Sequence, residues 1–348
     1  MVFYLALYVV IVIVFLSGCK GRAFFALTLL AVVSALRFDV GYDFLSYYTA
    51  IAEYAGDAET YRRFGYLHGL IIKASHYTGY FQFYFVVTSL FFYLIFYMVL
   101  KRDGRDIVVS VAVFLSIPFF FLMSFNFIRQ FSAIIMVYLG FSFIYQRKLL
   151  LFFLVVFLAS LVHYTALVVL PLYGIYKRRF GIGFYITVLI SSLFLFPVAK
   201  LAIDVLLPRY SHYLATASAG GAIFQIFLMA LSLLLLMFKQ YRGDTIKVFY
   251  FNVFVIGVVF YNMFQPIGFA GTRISYYFLF SLVFLASMLF ENVRKQQFRF
   301  VVLVCSFILM AISLILHSKV GTRSPSIPYQ TYFNKTVDDI RPYDWVKQ

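Results

Sequence analysis

The chain has 348 residues, of which 64% are hydrophobic and only 12% charged. A soluble domain carries about a quarter charged residues, and a chain this apolar has too little polar surface to cover a water-soluble globule. The net charge of +16 does not signal nucleic acid, because the basic residues form short clusters between apolar runs instead of one basic face.

Taken in chain order, apolar runs fall at 2–18, 23–36, 82–100, 107–123, 131–145, 149–162, 165–176, 184–200, 222–238, 248–264, 274–290 and 300–316. Each approaches the length that crosses a hydrocarbon core about 30 Å thick. The pattern predicts an all-α, polytopic membrane protein of about twelve transmembrane helices, with residues 1–348 forming a single membrane domain. Positive clusters between spans are held in the cytoplasm. With the N-terminus outside, the inside loops carry 16 basic residues and four acidic ones, whereas the outside connections before the tail carry eight and six. Both termini are then expected on the periplasmic side of a bacterial inner membrane, and the basic clusters are expected to contact membrane lipids. Leu16-Ser17-Gly18-Cys19 resembles a lipoprotein processing box. No basic segment precedes it, however, and Lys20 and Arg22 are expected to keep it inside and unlipidated.

Residues 149–176 test the count. As one helix this stretch of 28 residues would run about 42 Å, and it would put Arg147/Lys148 and Lys177/Arg178/Arg179 on opposite sides of the membrane. A hairpin with His163 near its tip keeps both clusters inside. Three outside regions remain: 37–81, with an interfacial helix expected over Phe64–Tyr77; 201–221, holding Pro208-Arg209-Tyr210; and the proline-bearing tail 317–348, expected to form a cap without long secondary structure.

Four polar motifs stand at the outer ends of spans, where they are candidates for function. They are Arg37-Phe-Asp-Val-Gly41-Tyr-Asp43-Phe-Leu-Ser-Tyr47, Asn126-Phe-Ile-Arg129-Gln130, His163-Tyr-Thr165-Ala166 and Gly271-Thr-Arg273-Ile-Ser-Tyr276-Tyr277. Singly, an arginine at a helix end is usually a snorkelling anchor and a lone histidine a packing residue. Together they read as a site for a lipid-linked phosphate. Arg37, Arg129 and Arg273 are suited to bidentate phosphate binding, and Asp43 and His163 to accepting a proton from a hydroxyl. Gly41, Tyr47, Asn126, Gln130, Arg209, Tyr276 and Tyr277 are the accompanying substrate-binding candidates. The many outer tyrosines fit an interfacial belt, although they are equally suited to stacking on sugar rings. Cys19 and Cys305 make no metal site, and no nucleotide loop, zinc-ligand spacing or Gly-x-Ser-x-Gly occurs, so neither metal nor cofactor is expected.

On these residues, the Arg37…Gly41-x-Asp43…Tyr47 loop, Asn126-x-x-Arg129-Gln130, His163-x-Thr165-Ala166 and Arg273 with Tyr276, the sequence resembles the EpsG family, Wzy-like polymerases of O-antigen, capsule and exopolysaccharide. The resemblance runs from about residue 30 to Pro328-Tyr329. It implies a GT-C-like glycosyltransferase that works without metal and uses undecaprenyl-diphosphate-linked oligosaccharides, with a chain-length regulator protein as partner. A lipid-linked glycan ligase, a flippase and a membrane acyltransferase are the rival readings. The family pattern often places an acidic residue before the interfacial helix; here Arg62-Arg63-Phe64-Gly65-Tyr66 stands there, so the base role falls to Asp43, Glu59 or His163.

Overall fold

A computed structural model of the protein describes residues 1–117, 120–206, 221–238, 242, 244–289, 296–319, 326–336 and 339–340. Among these residues every regular element is a helix, and the one pairing of extended backbone is an antiparallel bridge between Arg37 and Thr331. Helices α1 (Val2–Leu16), α2 (Arg22–Leu36), α3 (Phe44–Ala52), α4 (Asp57–Phe64), α5 (Tyr66–Thr78), α6 (Gln82–Asp103), α7 (Ile107–Ser116), α8 (Phe121–Asn126), α9 (Ile128–Tyr145) and α10 (Leu149–Val162) lead into a more tightly wound 3-10 helix at Tyr164–Val169. They are followed by α11 (Leu172–Ile175), α12 (Ile182–Ser192), α13 (Phe196–Leu206), α14 (Ala222–Phe238), α15 (Thr245–Phe264), α16 (Phe269–Thr272), α17 (Tyr276–Leu279), α18 (Ser281–Leu289) and α19 (Gln296–Lys319).

Among the described residues three stretches are long and apolar enough to cross a membrane: Gln82–Asp103, Ile128–Tyr145 and Thr245–Ile267. Shorter apolar helices occupy the other expected runs. Several of these helices present bare apolar side chains, such as Leu150, Ile223 and Met237 at 75–81% exposure. A water-soluble surface rarely carries such a density of them, whereas lipid accommodates it. The protein is therefore a membrane protein.

Two expected spans are broken, each beside a proline. The run 107–123 ends its helix at Ser116, with Ile117 extended just before Pro118, because the proline ring disfavours helical backbone in the residue preceding it. The run 184–200 is divided into α12 and α13, and Pro197 sits in the first turn of α13, where no amide donor is needed.

The chain divides into two compact units. The first comprises Met1–Gly140, Leu154–Ala166 and Val293–Gln348. In it α2 packs along α6, α19 along α7, and α1 against both α2 and α19. One end of α6 gathers charge. Arg102 pairs with Asp103 and donates to the carbonyls of Tyr138 and Leu139 at 2.6 and 2.8 Å. Asp106 caps α7 through the Val108 amide and accepts from Arg299 Nε of α19 at 2.8 Å. The other end of α6, about 33 Å away for 22 residues, carries α3, α4 and α5. A helix, α5, lies where one was expected over Phe64–Tyr77, and Lys73 Nζ ties it to Asp57 of α4 at 2.8 Å.

Residues 326–332 close over this end. The Phe38 amide donates to Gln330 O and the Tyr332 amide to Leu36 O. Tyr329 donates to Val33 O, and Tyr4 to Ser326 O.

The second unit comprises Phe141–Phe153 and Leu167–Asn292 and is built around α15. Asn252 accepts from Tyr185 at 2.6 Å and donates to Arg178 O at 2.9 Å, while Asn262 donates to Ser192 at 2.7 Å. Gly257 permits the close approach of α17, because a Cβ there would lie 2.8 Å from Leu279 N. The chain doubles back through residues 149–176. The Arg147 guanidinium lies 4.5 Å from the Tyr173 ring and donates to its carbonyl, and the Tyr145 and Tyr176 rings meet at 5.6 Å. The two flanking basic clusters thus lie at the same end, as the hairpin reading required.

Candidate functional site

The site grows from the turn after α2. Gly41 has φ +108, a conformation L side chains rarely adopt, and a Cβ on it would sit 2.5 Å from the Phe125 carbonyl oxygen. Only glycine lets the loop press on the end of α8. There Asn126 Oδ1 accepts from the Tyr42 amide at 2.9 Å. Two motifs 84 residues apart are thus locked together, and Asp43 is fixed at the start of α3.

Arg37 lies elsewhere than expected. Instead of reaching toward the headgroup region, it is 1% exposed. Its guanidinium lies between the Phe85 and Phe125 rings at 5.1 and 4.9 Å, and it donates to the Ser34 carbonyl and hydroxyl. Aromatic faces and helix-end oxygens satisfy much of a buried cation. Burial pulls Arg37 down to about 10, which leaves it protonated at neutral pH.

Arg129, in the first turn of α9, is the half-buried arginine of the site. Its Nε donates to Tyr47 Oη at 3.3 Å, its Nη1 donates to Arg63 O at 3.0 Å, and it lies 5.4 Å over the Phe64 ring. Nη2 has no protein partner among the described residues. Tyr47 is stacked on Tyr84 at 4.6 Å. Burial raises the Tyr47 phenol, nearby Arg129 opposes that rise and nearby Asp43 adds to it.

Sequence reasoning missed His68 and Tyr84. His68 Nδ1 is bonded to Tyr84 Oη at 2.7 Å and is 1% exposed. Burial, with Arg129 and then His163 adding, holds its ring at about 3. His163 itself is half-buried, bonded through Nδ1 to Thr165 Oγ1 at 2.6 Å. Gly65, φ +80, lets the α4–α5 corner meet the end of α10, where a Cβ would stand 3.0 Å from Leu161 O. Asp43, Tyr47, His68, Tyr84, Arg129 and His163 thus form one electrostatically linked group in the first unit. Gln130 is buried beside it. Arg273, Tyr276 and Tyr277 belong to the second unit, where Arg273 opens a short turn and both tyrosines are fully buried. Arg209 lies outside the described residues.

The depressed His68 ring has a pH signature. The folded protein keeps His68 neutral between about pH 3 and 6.5, while the unfolded chain binds a proton there. Stability therefore falls as pH drops below 6.5, by up to about 1.4 kcal/mol per pH unit for this one group. His68→Gln is expected to remove that contribution. The gap between the two melting temperatures in detergent should be flat above pH 7 and shift in favour of the variant toward pH 5. A gap independent of pH would contradict a neutral His68.

The EpsG family model matches residues 22–331. No curated protein and no solved structure is detectably similar to the chain. The match runs from the first residue of α2 to the tail residue that bridges Arg37, and so takes in every residue of the first-unit cluster. The chain therefore belongs to the EpsG family and is a polysaccharide-polymerase-like membrane protein of glycosyltransferase type.

Proposed function

We propose that the protein polymerises a surface polysaccharide (O-antigen, capsule or exopolysaccharide) by transferring glycan from undecaprenyl diphosphate to a lipid-linked repeat unit. The acceptor hydroxyl oxygen attacks the anomeric carbon and the carbon–oxygen bond to the diphosphate breaks. Undecaprenyl diphosphate leaves with the electron pair, and a base takes the hydroxyl proton. The observation that carries this reading is Arg129. It is a half-buried guanidinium with an unused amino group, oriented by Tyr47 and the Arg63 carbonyl, and set among Asp43, His68 and His163.

Arg129 binds the diphosphate and stabilises the charge that grows on its bridging oxygen, in place of a metal. Arg273, of the second unit, is the other arginine suited to a phosphate oxygen. Asp43 or His163 is the base; His68, neutral and buried, is a positioning residue acting through Tyr84 and Tyr47. Arg37 serves the site through the loop it anchors. The reaction belongs to the outer face of the inner membrane, with twelve crossings and both termini periplasmic. This topology is supported by the basic clusters and by the charged and loop-bearing ends lying at opposite ends of α6.

The surface glycan of a strain lacking the protein tests this reading. A single repeat attached to its carrier is expected. Complete absence of attached glycan would assign a ligase, and repeats held on the inner leaflet a flippase; either result would overturn the proposal.

A further inference from the structure

On the other face of α3 from Arg129 lies a cavity of about 130 Å³, walled by Phe44, Tyr48, Phe81 and Gln82 and closed by Tyr332 and Lys335 of the tail. Adjacent residues of α3 divide the work. Tyr47 faces Tyr84 and Arg129, whereas Tyr48 stacks on Phe81 at 4.4 Å and 11°. We infer that this cavity binds one pyranose ring of the lipid-linked glycan, away from the bond being made. The inference rests on the polymerase reading for which glycan is bound, though not for the binding itself.

Four observations carry it. The walls are aromatic faces, whose negative π surface complements the C–H groups on the apolar face of a sugar ring. Gln82 is only 4% exposed, and its Nε2 donates to two carbonyls, Ala35 O and Arg37 O. Those two acceptors fix the amide orientation and leave Oε1 with no protein partner among the described residues. Oε1 is not among the fully buried polar atoms, so it is an accessible acceptor to which a ring hydroxyl can donate. At the rim Tyr80 donates to Tyr332 at 3.1 Å, and Lys335, whose Nζ pairs with Asp339 at 3.1 Å, lines the same edge, giving further partners for ring hydroxyls. The volume is below the roughly 300–1,000 Å³ of drug-sized sites and suits a single ring. An acyl chain would fill the apolar walls but would leave Gln82 without its donor. Binding a sugar one helix away from the reacting groups supplies orientation, which remote contacts convert into rate.

The test is a titration of the full-length protein in nanodiscs with the strain's own single-repeat oligosaccharide, freed from its lipid by mild acid and followed by saturation-transfer NMR. Tyr332→Ala is expected to weaken binding about tenfold or more, Lys335→Ala about threefold, and Tyr332→Phe, which keeps the ring, less than either. Arg129→Ala, expected to lose about 100- to 1,000-fold in polymer formation, should bind the lipid-free oligosaccharide like the wild type. Absence of binding to the wild type, or unchanged affinity in both alanine variants, would overturn the subsite. If Tyr332→Ala does not fold, the exposed Lys335→Ala decides. No turnover is involved, so a failed subsite leaves the polymerase reading standing, and a ligase or flippase outcome in the deletion strain leaves the binding result standing.

Discussion

Arg129→Ala is expected to reduce polymer formation about 100- to 1,000-fold, a loss of roughly 3–4 kcal/mol of transition-state stabilisation. The geometry gives the reason. Arg129 uses Nε on Tyr47 and Nη1 on Arg63 O, which hold the guanidinium plane and leave Nη2 to meet a phosphate oxygen. Negative charge on the bridging oxygen rises as the glycosidic bond breaks, so a fixed donor acts more on the transition state than on the bound substrate. Lysine keeps the charge but has one nitrogen where arginine has three in a plane; it cannot hold Tyr47 and Arg63 O while meeting the diphosphate. Arg129→Lys should therefore be nearly as impaired as the alanine variant. The measurement is the glycan ladder, with protein level followed by immunoblot. A near-normal ladder from Arg129→Lys at normal protein level would reduce Arg129 to an anchor at the lipid interface.

Gly41→Ala, one methyl group, should nearly abolish the folded site. Two costs fall on the same atom. The backbone at φ +108 is strained by about 1–3 kcal/mol for an L residue, and the new Cβ would stand 2.5 Å from a backbone oxygen at Phe125, with no flexible side chain able to give way. Relief requires the loop to lift off α8, which breaks the Tyr42–Asn126 bond and releases Asp43. Yield of properly assembled protein and ladder length should fall together, with a melting temperature several degrees lower. Gly79→Ala is the control, because that glycine also has positive φ but open space around its Cβ. Equal damage from the two would show that backbone strain alone, and not the contact with Phe125, sets the effect.

Helix positions were legible because apolar run length is a direct consequence of membrane thickness, and each expected run corresponds to an apolar helix. Breaks inside runs were less so; Pro118 and Pro197 announce them, yet hydropathy passes over both. The hairpin at His163 was legible from charge, since two basic clusters cannot lie on opposite faces without violating orientation rules. Within the site, Gly41, Asn126, Asp43, Tyr47 and Arg129 could be read as one group because each breaks the apolar pattern at a helix end. What could not be read was direction. Arg37 and Arg129 look alike in sequence, but one lies over the Phe85 and Phe125 rings while the other has an amino group without a partner among the described residues. His68 and Tyr84 were hidden because a histidine on a short polar helix and a tyrosine among many aromatics carry no signature until tertiary contacts pair them.

The strap formed by residues 326–336 has a temporal meaning. Synthesis and membrane insertion are vectorial, and α2, α3 and α6 are in place long before this strap leaves the ribosome. Until it arrives, the carbonyls of Val33 and Leu36 lack the donors that Tyr329 and the Tyr332 amide provide, and the Phe38 amide lacks Gln330 O. The loop holding Asp43 is thus pinned from above only in chains translated past Tyr332. Prematurely terminated chains would insert most of their helices but leave the loop open, so the loop is pinned only after the strap itself has been made.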